Sequence, residues 1–123
     1  MAELDIALKD MMMLDGAIGA AVVDYGSGMA LGVLGGTKSL SIETAAAGLT
    51  EVVRAKLRTI EQLGLSEQIE DILISLSSQY HLVRPLHGRR SNGLFLYVAL
   101  DRSRGNLALA RHRLRDIEET LEV

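Results

Sequence analysis

Apolar and polar positions follow two different periods along this chain, and the switches between them mark out its elements. From Ala2 to Leu14 the apolar residues Leu4, Ala7, Leu8, Met11 and Leu14 recur three and four apart, which predicts a first helix broken by Asp15-Gly16. Ala17 to Asp24 is a short continuous run of small apolar residues and predicts a buried strand. Tyr25-Gly26-Ser27-Gly28 then predicts a hairpin turn into a returning strand, Met29 to Leu34. The long stretch from Ser41 to Leu63 returns to the helical period, with a stripe of Ile42, Ala45, Ala46, Leu49, Val52, Val53, Leu57, Ile60 and Leu63. Its ends are marked: Ser41 suits an N-cap, Leu40 is placed to pack against Ala45, and Gly64 suits the left-handed C-terminal position.

After that helix, Ile69 to Ser78 predicts a strand with Ile72, Ile74 and Leu76 on one face and Ile69 and Leu73 on the other. Tyr80 to Leu86 predicts another, which Pro85 marks as irregular or near a sheet edge. Gly93 to Asp101 predicts the most hydrophobic strand. Leu94, Leu96, Val98 and Leu100 alternate there with Phe95, Tyr97 and Ala99, so both faces must be covered. A last helix starts at Ser103 or Asn106 and carries the stripe Leu107, Ala110, Leu114, Ile117, Leu121. The order is helix, two strands, helix, three strands, helix. The links are too short for parallel crossovers, so the expected fold is α+β, with a five-stranded, mostly antiparallel sheet. The middle helix covers one face and the two terminal helices cover the other. The small side of the middle helix, Ala45-Ala46-Ala47-Gly48, lets a sheet or a second copy of the chain approach closely.

Composition narrows the function classes. The 123 residues suit one domain, and 48% hydrophobic content excludes intrinsic disorder. No apolar run approaches the roughly 18 residues of a membrane helix, and the acidic start lacks a secretory signal, so the expected location is the cytoplasm. There is no cysteine, hence no disulfide and no thiol nucleophile. The net charge of −3 hides an asymmetry: residues 81–115 hold Arg84, Arg89, Arg90, Arg102, Arg104, Arg111, Arg113 and Arg115 against Asp101 alone. The first 80 residues and the last eight are acidic, and such a division can steer a charged partner.

Candidate chemistry changes the picture little. Gly32 to Ser39 approaches a phosphate-binding loop, with Lys38-Ser39 in place, but Thr37 stands where the second glycine is required. A flexible connector is the better account. His81, His87 and His112 have no ligand spacing, and no serine lies in a nucleophile elbow. No cofactor, metal or catalytic residue is expected. Phe95 and Tyr97 near the arginines suggest a base-stacking strand, but a third helix is there to cover them, so they are expected in the core.

The small-apolar hairpin from Gly16 to Gly32, the alanine-rich middle helix, and the closing leucine-rich strand and helix together resemble the dynein light-chain roadblock family. Ile69-Glu70-Asp71-Ile72-Leu73-Ile74 and Gln79 to Leu86 are similar to the short actinobacterial members, over nearly the whole chain. The resemblance implies a profilin-like fold spanning residues 1–123 and a non-catalytic module that dimerises through its second helix and an edge strand. It further implies a scaffold or regulator of a Ras-like small GTPase, in some members a GTPase-activating partner. On this basis Ala45, Ala46, Leu49, Val52, Val53 and Lys56 are expected at or beside a homodimer contact. Ile72 and Ile74 are expected on the joined edge strand, with Met29–Leu34 as the other candidate edge. Arg84, Arg89, Arg90, Arg102 and Arg104 are expected to form one patch for the GTPase. A small-ligand sensor, or a nucleic-acid module, on the same fold is the competing expectation.

Overall fold

The computed structural model describes residues 2–121. The chain forms α1 (Ala2–Met12), β1 (Ala17–Asp24), β2 (Met29–Gly35), α2 (Ile42–Leu63), β3 (Ile72–Ser75), β4 (Gln79–Pro85), β5 (Leu94–Asp101) and α3 (Leu107–Leu121). All five strands join one sheet in the order β2-β1-β5-β4-β3, and each neighbouring pair is antiparallel. This is the α+β arrangement that the periodicities predict.

Local chemistry sets the element ends. The Ser41 side chain accepts from the Thr44 N–H at 3.2 Å and caps α2, as its position before the apolar stripe suggests. At the other end Gly64 adopts φ 69°, and the Leu65 N–H reaches the Ile60 carbonyl at 3.2 Å, which closes the helix in a Schellman-type turn. Asn106, rather than Ser103, caps α3, its Oδ1 accepting from the Leu109 N–H at 3.0 Å. Ser103 belongs instead to the turn after β5, where both its N–H and its hydroxyl donate to Asp101.

One strand is much shorter than its sequence predicts. The run Ile69–Ser78 contributes only Ile72–Ser75 to the sheet. Its first residues are tied elsewhere: the Ile69 carbonyl meets His87 Nε2, the Glu70 carbonyl accepts from Arg84, and Asp71 pairs with Arg111 on α3. Its last residues turn back through a Leu76 N–H to Gln79 carbonyl bond of 2.8 Å. Pro85 sits at the end of β4, beyond the last β3 partner, so its missing N–H leaves no ladder bond unmade.

The core lies on both sides of β1 and β5. Ala20, Val22, Leu96, Val98 and Leu100 face α1 and α3, where they meet Leu8, Met11, Leu114 and Ile117. Ala21, Val23, Phe95, Tyr97 and Ala99 face α2 and meet Ile42, Ala46, Leu49 and Val53. Phe95 and Tyr97 are fully buried, so the stacking surface of a nucleic-acid reader is not offered. Gly19 lets α2 start close to the sheet, because a Cβ there would collide with the Ile42 side chain.

Candidate functional site

The candidate surface is the flank of α2 and the β3 side of the sheet beside it. Helical spacing divides α2 into three sides. Ile42, Ala46, Leu49 and Val53 point into the sheet and are buried. Thr50 and Arg54 turn toward the β1–β2 hairpin, where Arg54 donates through Nε to the Tyr25 carbonyl and through Nη2 to that of Gly26, both at 2.7 Å. Ala45, Val52 and Lys56 line the opposite flank. Ala45 is half-buried there, while Val52 and Lys56 are exposed. An arginine inside a helical stretch carries no sequence signal that it will cap a hairpin's carbonyls.

The helix lies over β1 and β2. Beyond it Phe95, Tyr97 and Ala99 on β5 and Val83 on β4 are still fully buried, but the outer edge of the face, at β3, is thinly covered, with Ile72, Ile74 and His81 only half-buried. β3 is also an edge, bonded to β4 on one side only. A single helix is about 10 Å across with its side chains, while five strands about 4.8 Å apart span roughly twice that width. One α2 cannot cover the face, and the apolar flank of α2 and the exposed edge of β3 border the part it leaves.

This placement corrects part of the expected contact. Ala46, Leu49 and Val53 are committed to the protomer's own core, at 1%, 6% and 0% exposure, and offer no outward surface. A stripe of spacing three and four marks the side facing the sheet; the neighbouring flank is what remains for a second partner. Ala45, Ile72 and Ile74 are half-buried, and Val52 and Lys56 exposed, so none of these five is sealed in the protomer's own core.

The arginines do not form one patch. β4 and β5 are a hairpin in which Pro85 pairs with Phe95 at one end and Gln79 with Asp101 at the other. Arg89 and Arg90 lie in the loop at the first end, and Arg102 and Arg104 follow β5 at the second, about 20 Å away at the usual strand rise. Arg102 is held by the Leu76 carbonyl at 3.0 Å and lies 5.0 Å from the centre of the Tyr80 ring. Arg84 is structural. Its Nε donates to Glu118 Oε1 at 2.8 Å, both side chains are mostly buried, and Glu118 Oε2 accepts the His87 backbone N–H at 2.9 Å. Proximity in sequence to the strand ends could not distinguish the two ends of one hairpin, or foresee an acidic partner 34 residues away.

The histidines are likewise separate. His87 bonds the Ile69 carbonyl, whereas His81 lies on the α2 side, with Nε2 2.8 Å from Gln79 Oε1 and Nδ1 3.4 Å from the Tyr97 hydroxyl. Burial lowers the His81 pKa below its ordinary 6.5 and raises that of Tyr97 to about 12. Both groups are therefore neutral near pH 7. Hydrogen bonds from the Ser103 hydroxyl and N–H hold Asp101 below the usual carboxylate range.

The connector resembling a phosphate-binding loop is a tight turn rather than a flexible link. Thr37 and Leu40 exchange both backbone hydrogen bonds, at 3.0 and 3.2 Å, and α2 starts only at Ile42. Lys38 is exposed. Among the described residues no group of three or more His, Cys, Asp or Glu could hold a metal ion, and no helix is long and apolar enough to cross a membrane.

Comparison with solved structures agrees on the architecture. A roadblock/LC7 domain from Streptomyces avermitilis superposes with a TM-score of 0.75 at 13% identity, covering 97% of this chain and 91% of that one. The fold is that of the roadblock domain. The gliding protein MglB from Thermus thermophilus matches with a TM-score of 0.78 at 15% identity, covering 98% of this chain and 87% of the other. A structure described as MglB with a tetrameric arrangement matches with a TM-score of 0.79 at 17% identity, covering 99% and 89% of the two chains. No family model and no curated protein matches the sequence. The agreement is thus one of fold, preserved where sequence identity is low.

Proposed function

We propose that this roadblock-fold chain is a homodimeric, non-catalytic regulator or scaffold of a Ras-like small GTPase, acting in the cytoplasm. The observation that carries the reading is the thinly covered β3 end of the sheet face, bordered by the outward flank of α2 and an open strand edge. A second copy related by a two-fold axis would bring its own α2 over that open end while receiving the first copy's α2 over its own. The same operation would set two β3 strands side by side and pair the exposed edge, which otherwise invites nonspecific addition. Ala45, Val52, Lys56, Ile72 and Ile74 are the contact residues on this reading. The tetrameric arrangement of the MglB neighbour supports self-association as a use of this fold.

The GTPase reading rests on the resemblance carried by the hairpin, middle helix and closing strand, and on the roadblock fold of the solved neighbours. The arginine clusters at the two ends of the β4–β5 hairpin offer two alternative meeting points for an acidic partner face. The test has two steps. The native complex is captured and its small GTPase identified, and that GTPase is then assayed for GTP hydrolysis and nucleotide release with and without the pure protein. Saturable binding with altered rates, or with unchanged rates and stable tethering, supports regulator or scaffold respectively. No interaction with any small GTPase of the native cell rejects the reading.

A further inference from the structure

On the other side of the sheet, at the seam where α1, α3 and β5 meet, lies a cavity of about 210 Å³. At about 30 Å³ per water in the liquid, it has room for roughly seven waters or for one aliphatic side chain. Its walls are Leu4, Leu31, Leu94 and Leu121. Leu31 is there because of a backbone irregularity: between Val22 and Val23 the β1–β2 register slips, so Leu31 is the unpaired extra residue of a bulge. Bulges of this kind re-aim a side chain, and here the side chain lines the cavity.

Three polar groups stand among the leucines. Ser91, in the loop before β5, also lines the cavity, and it is 2% exposed. Its hydroxyl is a buried side-chain group with no hydrogen-bond partner among the described residues. Such a group is costly unless something completes it. Arg90 and Glu3, both exposed, supply one positive and one negative charge at the mouth.

A simple anion would meet Glu3 and a simple cation would meet Arg90. A molecule bearing both charges close together, with a compact apolar group, satisfies every wall at once. We propose that this cavity is a binding site for a free α-amino acid with an aliphatic side chain. The carboxylate is received by Arg90 and the Ser91 hydroxyl, the ammonium by Glu3, and the side chain by the four leucines. The site lies across the sheet from the α2 flank, and the proposal is independent of the GTPase reading.

The test is an amide NMR titration of the full chain with L-leucine into the millimolar range. Saturable shifts at Leu31, Ser91 and Leu94, with α2 signals unmoved, are the expected result. Ser91→Ala should weaken leucine binding roughly two- to tenfold, the worth of one hydrogen bond, while leaving the melting temperature unchanged or raised because an unpartnered hydroxyl is removed. Leu31→Asp, on a half-exposed bulge, should abolish binding while the protein stays folded. The amine lacking leucine's carboxylate and the acid lacking its ammonium should each bind more weakly than leucine. Absence of saturable shifts would overturn the proposal. So would equal binding of the deaminated acid, or a Ser91→Ala protein that melts earlier yet binds leucine unchanged.

Discussion

The two faces of the sheet use the same strands but are finished differently. On the α1/α3 face two helices share the cover, and α3 is fastened to the end of β4 by polar bonds: Arg84 pairs with Glu118, which also holds the His87 backbone. On the α2 face one helix lies over β1 and β2, fixed at its hairpin end by Arg54, and β3 is left half-covered. The difference teaches how a small domain divides its labour. Both faces hold a buried core, but the singly covered face leaves apolar side chains partly exposed along the α2 flank and β3.

That comparison can be broken first by cavity mutations. Leu114→Ala or Ile117→Ala should cost about 2–5 kcal/mol, since both side chains are buried in the doubly covered core. Leu57→Ala, at a half-buried position on α2, should cost clearly less. Denaturant melts giving equal losses would remove the asymmetry. Glu118→Ala comes next, at about 1–3 kcal/mol, because it strands the mostly buried Arg84 and an N–H of His87. The same melts, repeated with Arg84→Ala and the double variant, should show the two single losses to be less than additive.

On the open face the larger effect should be on association. Val52→Asp or Ile74→Asp should convert a dimer to a monomer in light scattering while the circular dichroism spectrum keeps its native shape. A wild-type protein that is monomeric at micromolar concentration would refute the contact. Acidity should act on the same face. His81 is half-buried and neutral with a lowered pKa, so the unfolded chain takes up protons first as pH falls through 6.5, and stability should drop there. His81→Gln should flatten that slope in melts run from about pH 7 to about pH 5. Tyr97 gives the opposite sign: its folded pKa of about 12 lies above the ordinary 10.0, so stability should fall as pH rises between them.

The smallest expected change in stability is at the arginine clusters. Arg89→Glu should alter folding by no more than about 0.5 kcal/mol, as exposed loop charges do. Against the cognate GTPase it separates two arrangements. Weakened, salt-sensitive binding by Arg89→Glu with none by Arg104→Glu assigns the contact to the loop end of the β4–β5 hairpin, and the reverse result assigns it to the other end.

By itself the sequence determined the element order, the capped ends of α2, and the two-faced burial of β5. Each depends on neighbours within a few residues or on a periodicity that only one element type can satisfy. Ser41 and Gly64 are local signals, and Leu94 to Asp101 has no polar face to expose. Tertiary structure alone decided what distant residues do to one another. Strand order placed Arg89 and Arg104 at opposite ends of one hairpin, α3 brought Glu118 to Arg84, and the bulge carried Leu31 into a cavity beside Ser91. Periodicity likewise could not separate Val53, which faces the sheet, from Val52, which does not, because both belong to one broad apolar stripe. Only the position of the sheet beneath α2 says which part of that stripe is core and which part remains open.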